Sequence, residues 1–275
     1  MIDVLDAVRD HYRASGLTER LKTALTAWPD EQRLTPQQLA SVDQFHTRGL
    51  AATVELAKLA GITAEMSVLD VGSGVGGPAR FLAATYGCQV TGIDLSEPFV
   101  DAARYLTKRT GQSGQVSFEM ASALELPFDA GSFDVALLQH VAMNISDRTR
   151  LYREIRRVLK SGGKFAIFDV VLNNGEPLYP VPWARTPTTS FLLTAAATRA
   201  AIEPAGFRTL VWQDDTEAAK AWIAQLRASG PLPSPNLGVV MGPDFAQLAT
   251  NLGRSLLEGR LGILTAVFEA AATRT

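Results

Sequence analysis

VLDVGSGVGGPARFL, running from Val68 to Leu82, is the stretch whose reading decides the fold. A short apolar run, Val68–Val71, leads without a gap into Gly72, Ser73, Gly74, Val75, Gly76 and Gly77. Pro78 then stands where a first helical turn accepts it. Strand, tight turn and helix in that order form the unit from which parallel sheets are built. Glycines at such a turn allow it to be sharp and let a ligand approach the main chain closely. The next apolar run, CQVTGIDL (88–95), carries Asp94 near its end, where a carboxylate can accept both hydroxyls of a ribose. Gly72, Gly74 and Gly77 also satisfy the dinucleotide spacing, so a nicotinamide or flavin enzyme stays open at this point. Asp70 counts against it, because a carboxylate beside the loop repels a pyrophosphate and tolerates an ammonium group.

Outward from the loop, the same alternation repeats. Apolar runs at 66–71, 88–95, 116–120, 133–139 and 164–172 read as strands with amphipathic helices between them. Ser96 is the expected N-cap of one helix, with Pro98 in its first turn. Ser146 is the expected cap of another, with Leu151, Ile155, Val158 and Leu159 as its buried stripe and Ser161-Gly162-Gly163 at its end. Beyond residue 172 the rhythm breaks, and Pro177, Pro180, Pro182 and Pro187 mark a long irregular loop over 173–190. A helix at about 194–205, a strand at 207–213, a helix at about 215–228, a Pro/Gly-rich loop, a further helix and a last strand at 259–271 complete the reading. Residues 1–61 read as helical, with a helix from about Asp43 to Ala60 that places Leu50, Val54 and Ala57 on one face.

Composition narrows the function classes. The 275 residues are 47% hydrophobic and 20% charged, an ordinary globular balance. With 26 Lys plus Arg against 28 Asp plus Glu and no basic run, a protein that lives on a nucleic acid backbone is disfavoured. A single cysteine, Cys88, excludes an intrachain disulfide and a cysteine-rich metal site, and it reads as a small buried hydrophobe. His11, His46 and His140 lie too far apart for a metal motif. MIDVLDAVRDHYR is amphipathic and charged, unlike a signal peptide, and no apolar stretch approaches the roughly 20 residues of a membrane span. A cytoplasmic protein without membrane or nucleic acid partners is expected; oligomeric state is open, a homodimer included.

VLDVGSGVGG, GIDLS, ALELPFDAGSFDVALLQHV and LYREIRRVLKSGGKFAIFDVV, in that order, resemble the class I S-adenosylmethionine-dependent methyltransferases. AGFRTLVWQDD and GRLGILTAVFEA fit the end of that fold. More narrowly, QHVAMNISDR, PVPWARTPTTSFLLT and VDQFHTRGLAATVELA look like bacterial small-molecule methyltransferases grouped with sarcosine and dimethylglycine N-methyltransferases and quinone-biosynthesis C-methyltransferases. The resemblance implies an α/β, Rossmann-like seven-stranded sheet of order 3-2-1-4-5-7-6 with strand seven antiparallel. It also implies a helical cap over 1–61, a catalytic domain over 62–275, and lid or substrate segments at 173–190 and 214–258. Carried over by position, Asp70, Gly72, Ser73, Gly74 and Gly76 would hold the methionine part of S-adenosylmethionine. Asp94 would take the ribose, Leu95 would lie beside the adenine, and Gln139 would lie against the cofactor. Where the family often places an acid for the adenine amino group, Ala121-Ser122-Ala123 supply no charge, which leaves Ser122 and Ala123 at that position.

Methyl transfer from a sulfonium needs alignment and exclusion of water, and a base only where the acceptor must lose a costly proton. His140, following strand four, is either a base or acceptor partner, or a structural histidine. Asn144 reads as an acceptor ligand or as a helix cap, with capping preferred. His46 and Arg48 could meet the cofactor carboxylate or the acceptor, or Arg48 could be spent in a surface ion pair. Tyr12 could cover the site and Trp183 could wall it. The expected activity is methylation of a small molecule, with nitrogen the preferred acceptor atom, and oxygen, carbon or a non-catalytic cofactor-binding role as alternatives. No metal is expected.

Overall fold

Hydrogen bonding joins seven strands into one sheet of order β3-β2-β1-β4-β5-β7-β6 in the computed structural model, which describes residue 12, residues 16–230 and residues 234–271. Apart from Tyr12, the reading of the amino-terminal segment, His11 included, lies outside those residues. The strands are β1 (Ser67–Val71), β2 (Gln89–Asp94), β3 (Val116–Met120), β4 (Phe133–Gln139), β5 (Leu159–Leu172), β6 (Phe207–Asp214) and β7 (Leu261–Ala270). The first five pair in parallel, and β7 runs antiparallel between β5 and β6, as the resemblance implies. Central strands carry apolar residues on both faces because both are covered. Val135 and Leu137 point into one core and Ala136 and Leu138 into the other.

Helices α1 (Leu17–Ala24), α2 (Pro36–Asp43) and α3 (Leu50–Ala60) precede β1; α4 (Gly77–Tyr86) and α5 (Glu97–Thr110) flank β2. Downstream come α6 (Arg148–Val158), α7 (Ala195–Ile202), α8 (Thr216–Ala228), the single turn α9 (Gly238–Met241) and α10 (Phe245–Leu257). Residues of α3, α4, α5, α8 and α10 join the core on one face of the sheet, and those of α6 and α7 the core on the other. A third cluster joins Leu17 and Leu21 of α1, Leu39 and Val42 of α2, and Phe99 and Leu106 of α5. The segment before residue 61 is therefore divided: α1 rests on α5 and α2 on α4, whereas α3 is packed into the sheet core. No helix among the described residues is long and apolar enough to cross a membrane.

Three local expectations are corrected. The continuous helix from Asp43 to Ala60 is two helices with a turn at 44–49 between them. Arg48 and Gly49 both take positive φ there, 63° and 50°, which a helix cannot absorb. Asp147, rather than Ser146, caps α6 by accepting from Arg150 N at 2.9 Å. Ser96 does stand at the N-cap of α5, as expected, but its hydroxyl donates to Tyr12 O rather than accepting from a helix amide, while Asp94 Oδ1 accepts from Ser96 N. The stop at Ser161-Gly162-Gly163 is displaced as well: α6 ends at Val158 and those residues run within β5.

Candidate active site

The ends of β1, β2 and β4 open onto a cleft of about 890 Å³. Ligands of open parallel sheets bind at this carboxyl edge. Gly72 makes the turn out of β1 at φ 72°, and a Cβ there would stand 2.5 Å from Val141 Cγ2. Gly72 N and Ser73 N both donate to Ile93 O at 2.8 Å, which pins the loop to β2. Asp94 fixes its other side, accepting from Gly74 N at 2.9 Å. Burial raises the Asp94 carboxyl to about 6, against the pull of its bonds to Ser96, Gly74 and Leu95 amides.

The roof comes from the turn between α2 and α3. Asp43 at the end of α2 is fully buried against Arg80 of α4, with an N–O distance of 2.9 Å. Its main-chain carbonyl lies where a Cβ at Gly77 would collide with it. That anchorage carries Gln44, Phe45, His46 and Thr47 over the cleft, which all four line.

Gly72, Gly74, Asp94, Leu95, Ser122, Ala123, Gln139, His46, His140, Asn144 and Trp183 are all brought to this one cleft. Asp70, Ser73 and Gly76 stand behind the wall. Asp70 is buried beneath the loop, where burial raises it to about 7 and neighbouring Asp94 adds to the rise. Arg48 does not reach the cleft: it pairs with Glu55 at 2.6 Å and Asp215 at 3.5 Å, so of its two expected roles the ion pair holds and the ligand role is corrected. Asn144 caps no α-helix. It closes the 3-10 turn over Ala142–Asn144 and accepts from the Tyr12 hydroxyl at 3.3 Å. Trp183 is buried, and its indole N–H donates to Ser190 Oγ at 2.9 Å. Cys88 is fully buried and its thiol pushed up to about 11, which leaves it inert. Ser122 Oγ accepts from Leu124 N at 3.2 Å and keeps its own proton to give.

The two histidines differ in how many ring nitrogens are spoken for. His46 Nδ1 meets Thr47 O at 3.3 Å, and its Nε2 meets Thr53 Oγ1 at 3.1 Å and Gln139 Nε2 at 3.3 Å. Among the described residues the His140 ring has one hydrogen-bond partner, Thr47 Oγ1 at 3.4 Å from Nε2, and it stacks on Phe168 at 5.3 Å. Its backbone sits at φ 56°, a region costly for a residue with a side chain and frequent at functional sites. Burial lowers both rings, His46 to about 4, with neighbouring His46 adding to the effect on His140. Both imidazoles are thus neutral near pH 7.

A methyltransferase domain model matches residues 69–167. Methyltransferase GfsG of Streptomyces halstedii is 32% identical over 220 residues, covering 78% of this chain and 73% of that protein. The sarcosine/dimethylglycine N-methyltransferase of Halorhodospira halochloris is 40% identical over 102 residues, only 37% of either chain. The geranyl diphosphate C-methyltransferase of Streptomyces coelicolor A3(2), solved with Mg2+, geranyl diphosphate and S-adenosyl-L-homocysteine, superposes with a TM-score of 0.71 at 16% identity over 98% of both chains. The chain belongs to the class I S-adenosylmethionine-dependent methyltransferases, and the dinucleotide alternative falls away.

The residues present fit that cofactor. Gln44 Nε2, a donor beside the Asp43 carboxyl, and Gln139 Oε1, an acceptor, are buried polar atoms without a well-formed hydrogen bond among the described residues, on residues that line the cleft. Such a pair suits a ligand that carries a carboxylate and an ammonium group, and buried polar atoms normally find partners. Gln44 was not singled out from sequence, although it lies within the quoted VDQFHTRG segment. Also missed were Phe45, Thr47 and the side chains of α8, α9 and α10 that extend the cleft. Helical periodicity marks their apolar faces without telling what those faces cover.

Proposed function

We propose that this methyltransferase passes the methyl group to a hydroxyl oxygen of a small-molecule acceptor, with His140 taking the proton. The observation that carries the reading is the Nδ1 of a neutral imidazole in the wall of the cleft, which has no hydrogen-bond partner among the described residues. If Nε2–H donates to Thr47 Oγ1, Nδ1 holds the lone pair that accepts a hydroxyl proton. His46 has both nitrogens engaged and acts as the strut that orients Gln139 and Thr47. Asp94, Leu95, Gln139, Gln44, Ser122 and the glycine loop would hold S-adenosylmethionine, which supplies a methyl group on a sulfonium that becomes a neutral thioether. A ring that gains the proton also gains the positive charge, so the total charge of the closed cleft is conserved. Buried, low-dielectric surroundings then impose little penalty on the transfer. The roof of Phe45, His46 and Thr47 excludes water and holds the acceptor in line.

A nitrogen acceptor is the second reading, favoured by the partial likeness to the sarcosine/dimethylglycine enzyme. The two are separated by incubating the protein with methyl-labelled S-adenosylmethionine and panels of alcohols, phenols and amines, and by locating the label in the product. Label on oxygen, lost in His140→Ala while S-adenosylhomocysteine still binds, is the expected result. A methylamine product formed equally fast by His140→Ala sinks the oxygen reading.

A further inference from the structure

Past His140 the cleft continues into a chamber whose walls are almost without charge. Building on the reading of this cleft as a methyl-transfer site, we propose that the acceptor is a bulky, electrically neutral molecule with an apolar body, whose size is set by the inward face of α10. Trp183, Trp222, Ile223, Leu226, Met241 and Phe245 form the large surfaces of the chamber. Together they offer aromatic and branched walls suited to a ring system rather than to a short polar chain. Facing them, α10 presents Ala246, Ala249 and Gly253, spaced three and four residues apart and so on one side of the helix. At Gly253 the two helices are already in touch, since a Cβ there would meet Ile223 Cγ2 at 3.5 Å. Ala246 and Ala249 line open space instead.

Charge selects the class of molecule. Among the described residues that line the cleft, only Asp94 and Arg227 carry a formal charge. Asp94 is committed to Gly74 N and Ser96 N at the cofactor end. Arg227 stands exposed in the last turn of α8. An amino acid or a phosphorylated amine would bring a carboxylate, phosphate or ammonium group into this interior with no buried counter-charge, and its desolvation would go uncompensated. A neutral body leaves its water with a net gain.

The test uses the full chain saturated with S-adenosylhomocysteine and three probes: testosterone (neutral, polycyclic, hydroxyl-bearing), cholate (polycyclic and anionic) and dimethylglycine. Binding is followed by tryptophan fluorescence, because Trp183 and Trp222 line the chamber, and confirmed by calorimetry. Testosterone is expected to bind saturably and dimethylglycine not at all. Ala249→Trp should weaken testosterone by about tenfold or more while leaving the affinity for S-adenosylhomocysteine unchanged. Ala249→Met serves the same purpose should the larger variant fail to fold. Saturable dimethylglycine binding without testosterone binding overturns the proposal. So does cholate binding more tightly than testosterone and losing that advantage in Arg227→Gln. Testosterone affinity indifferent to either Ala249 variant overturns the assignment of α10. The assay reads binding and not turnover, so a methylamine product would refute the oxygen reading while leaving the chamber result intact, and the reverse also holds.

Discussion

At the glycine loop the cleft is bounded by main chain, and at the chamber it is bounded by side chains. Gly72 and Gly77 have no room for a single added carbon, because Val141 and the Asp43 carbonyl occupy that space. Ala246, Ala249 and Gly253 have room to spare or meet a neighbour at ordinary contact distance. A wall of main chain can recognise only what never varies. A wall of side chains can be recut one residue at a time while the cofactor end stays as it is.

His140 sits at the seam between the two ends and gives the largest expected effect. His140→Ala should lower kcat by about 10²–10⁴, the range in which positioned acid–base groups act, with S-adenosylhomocysteine affinity unchanged. Equal losses in affinity and turnover would assign the residue to the loop end instead. Next comes Gly72→Ala, which combines a left-handed backbone costing roughly 1–2 kcal/mol with a collision against Val141. Calorimetry should show cofactor affinity falling by about a hundredfold. The same change at Gly253 is the sharpest control: inside α10 alanine is favoured over glycine, so stability should hold or rise by roughly 0.5–1 kcal/mol with affinity unchanged. If the two substitutions cost alike, the contrast drawn above is wrong.

Two pH effects are smaller and opposite in sign. Asp94 is raised to about 6, so the folded protein favours its protonated form. Its contribution to stability is therefore full below its unfolded value and is lost as pH rises through about 6. Under the proposed contact of the Asp94 carboxylate with the ribose, S-adenosylhomocysteine affinity should climb through pH 6 and level off above it. The affinity of Asp94→Asn should be lower by about tenfold or more and flat with pH across that window. His46 is lowered to about 4, so the neutral ring contributes stability above its unfolded value near 6.5, and this is lost as pH falls through about 4. On the order of 3 kcal/mol rides on that shift, and urea unfolding of His46→Gln should show a shallower acid limb than the parent. An unchanged acid limb would place the titration elsewhere.

Much of the loop end was legible because its constraints are written in residue identity. Gly72 before a helix, Asp94 at the end of β2 and the strand sequence fixed by the motif order all stand where the sequence puts them. The roof was harder. Nothing in the letters of QFHTRG announces that Arg48 adopts φ 63°, since the usual signals for such a backbone are glycine, asparagine or aspartate. Helical periodicity accordingly runs straight through the turn that places His46. A guanidinium suits a ligand's carboxylate and a protein carboxylate equally, so sequence leaves both open for Arg48, and the fold supplies Glu55 and Asp215. The chamber was illegible for a different reason. An apolar helix face looks the same whether it lies on a sheet or beside an empty space.

The buried pair of Asp43 and Arg80 sets how this enzyme can be taken apart and recombined. Replacing α2 with the corresponding helix of a relative that lacks the acid would strand a guanidinium in the interior, a loss of about 3–5 kcal/mol. Helices α2 and α4 therefore form one inheritance unit, although the whole of α3, β1 and the glycine loop lies between them in the chain. Among the described residues, chimeras that exchange α8 to α10 cross no buried ion pair, so new acceptor ranges should be reached by grafting these helices onto this chain and leaving its roof in place.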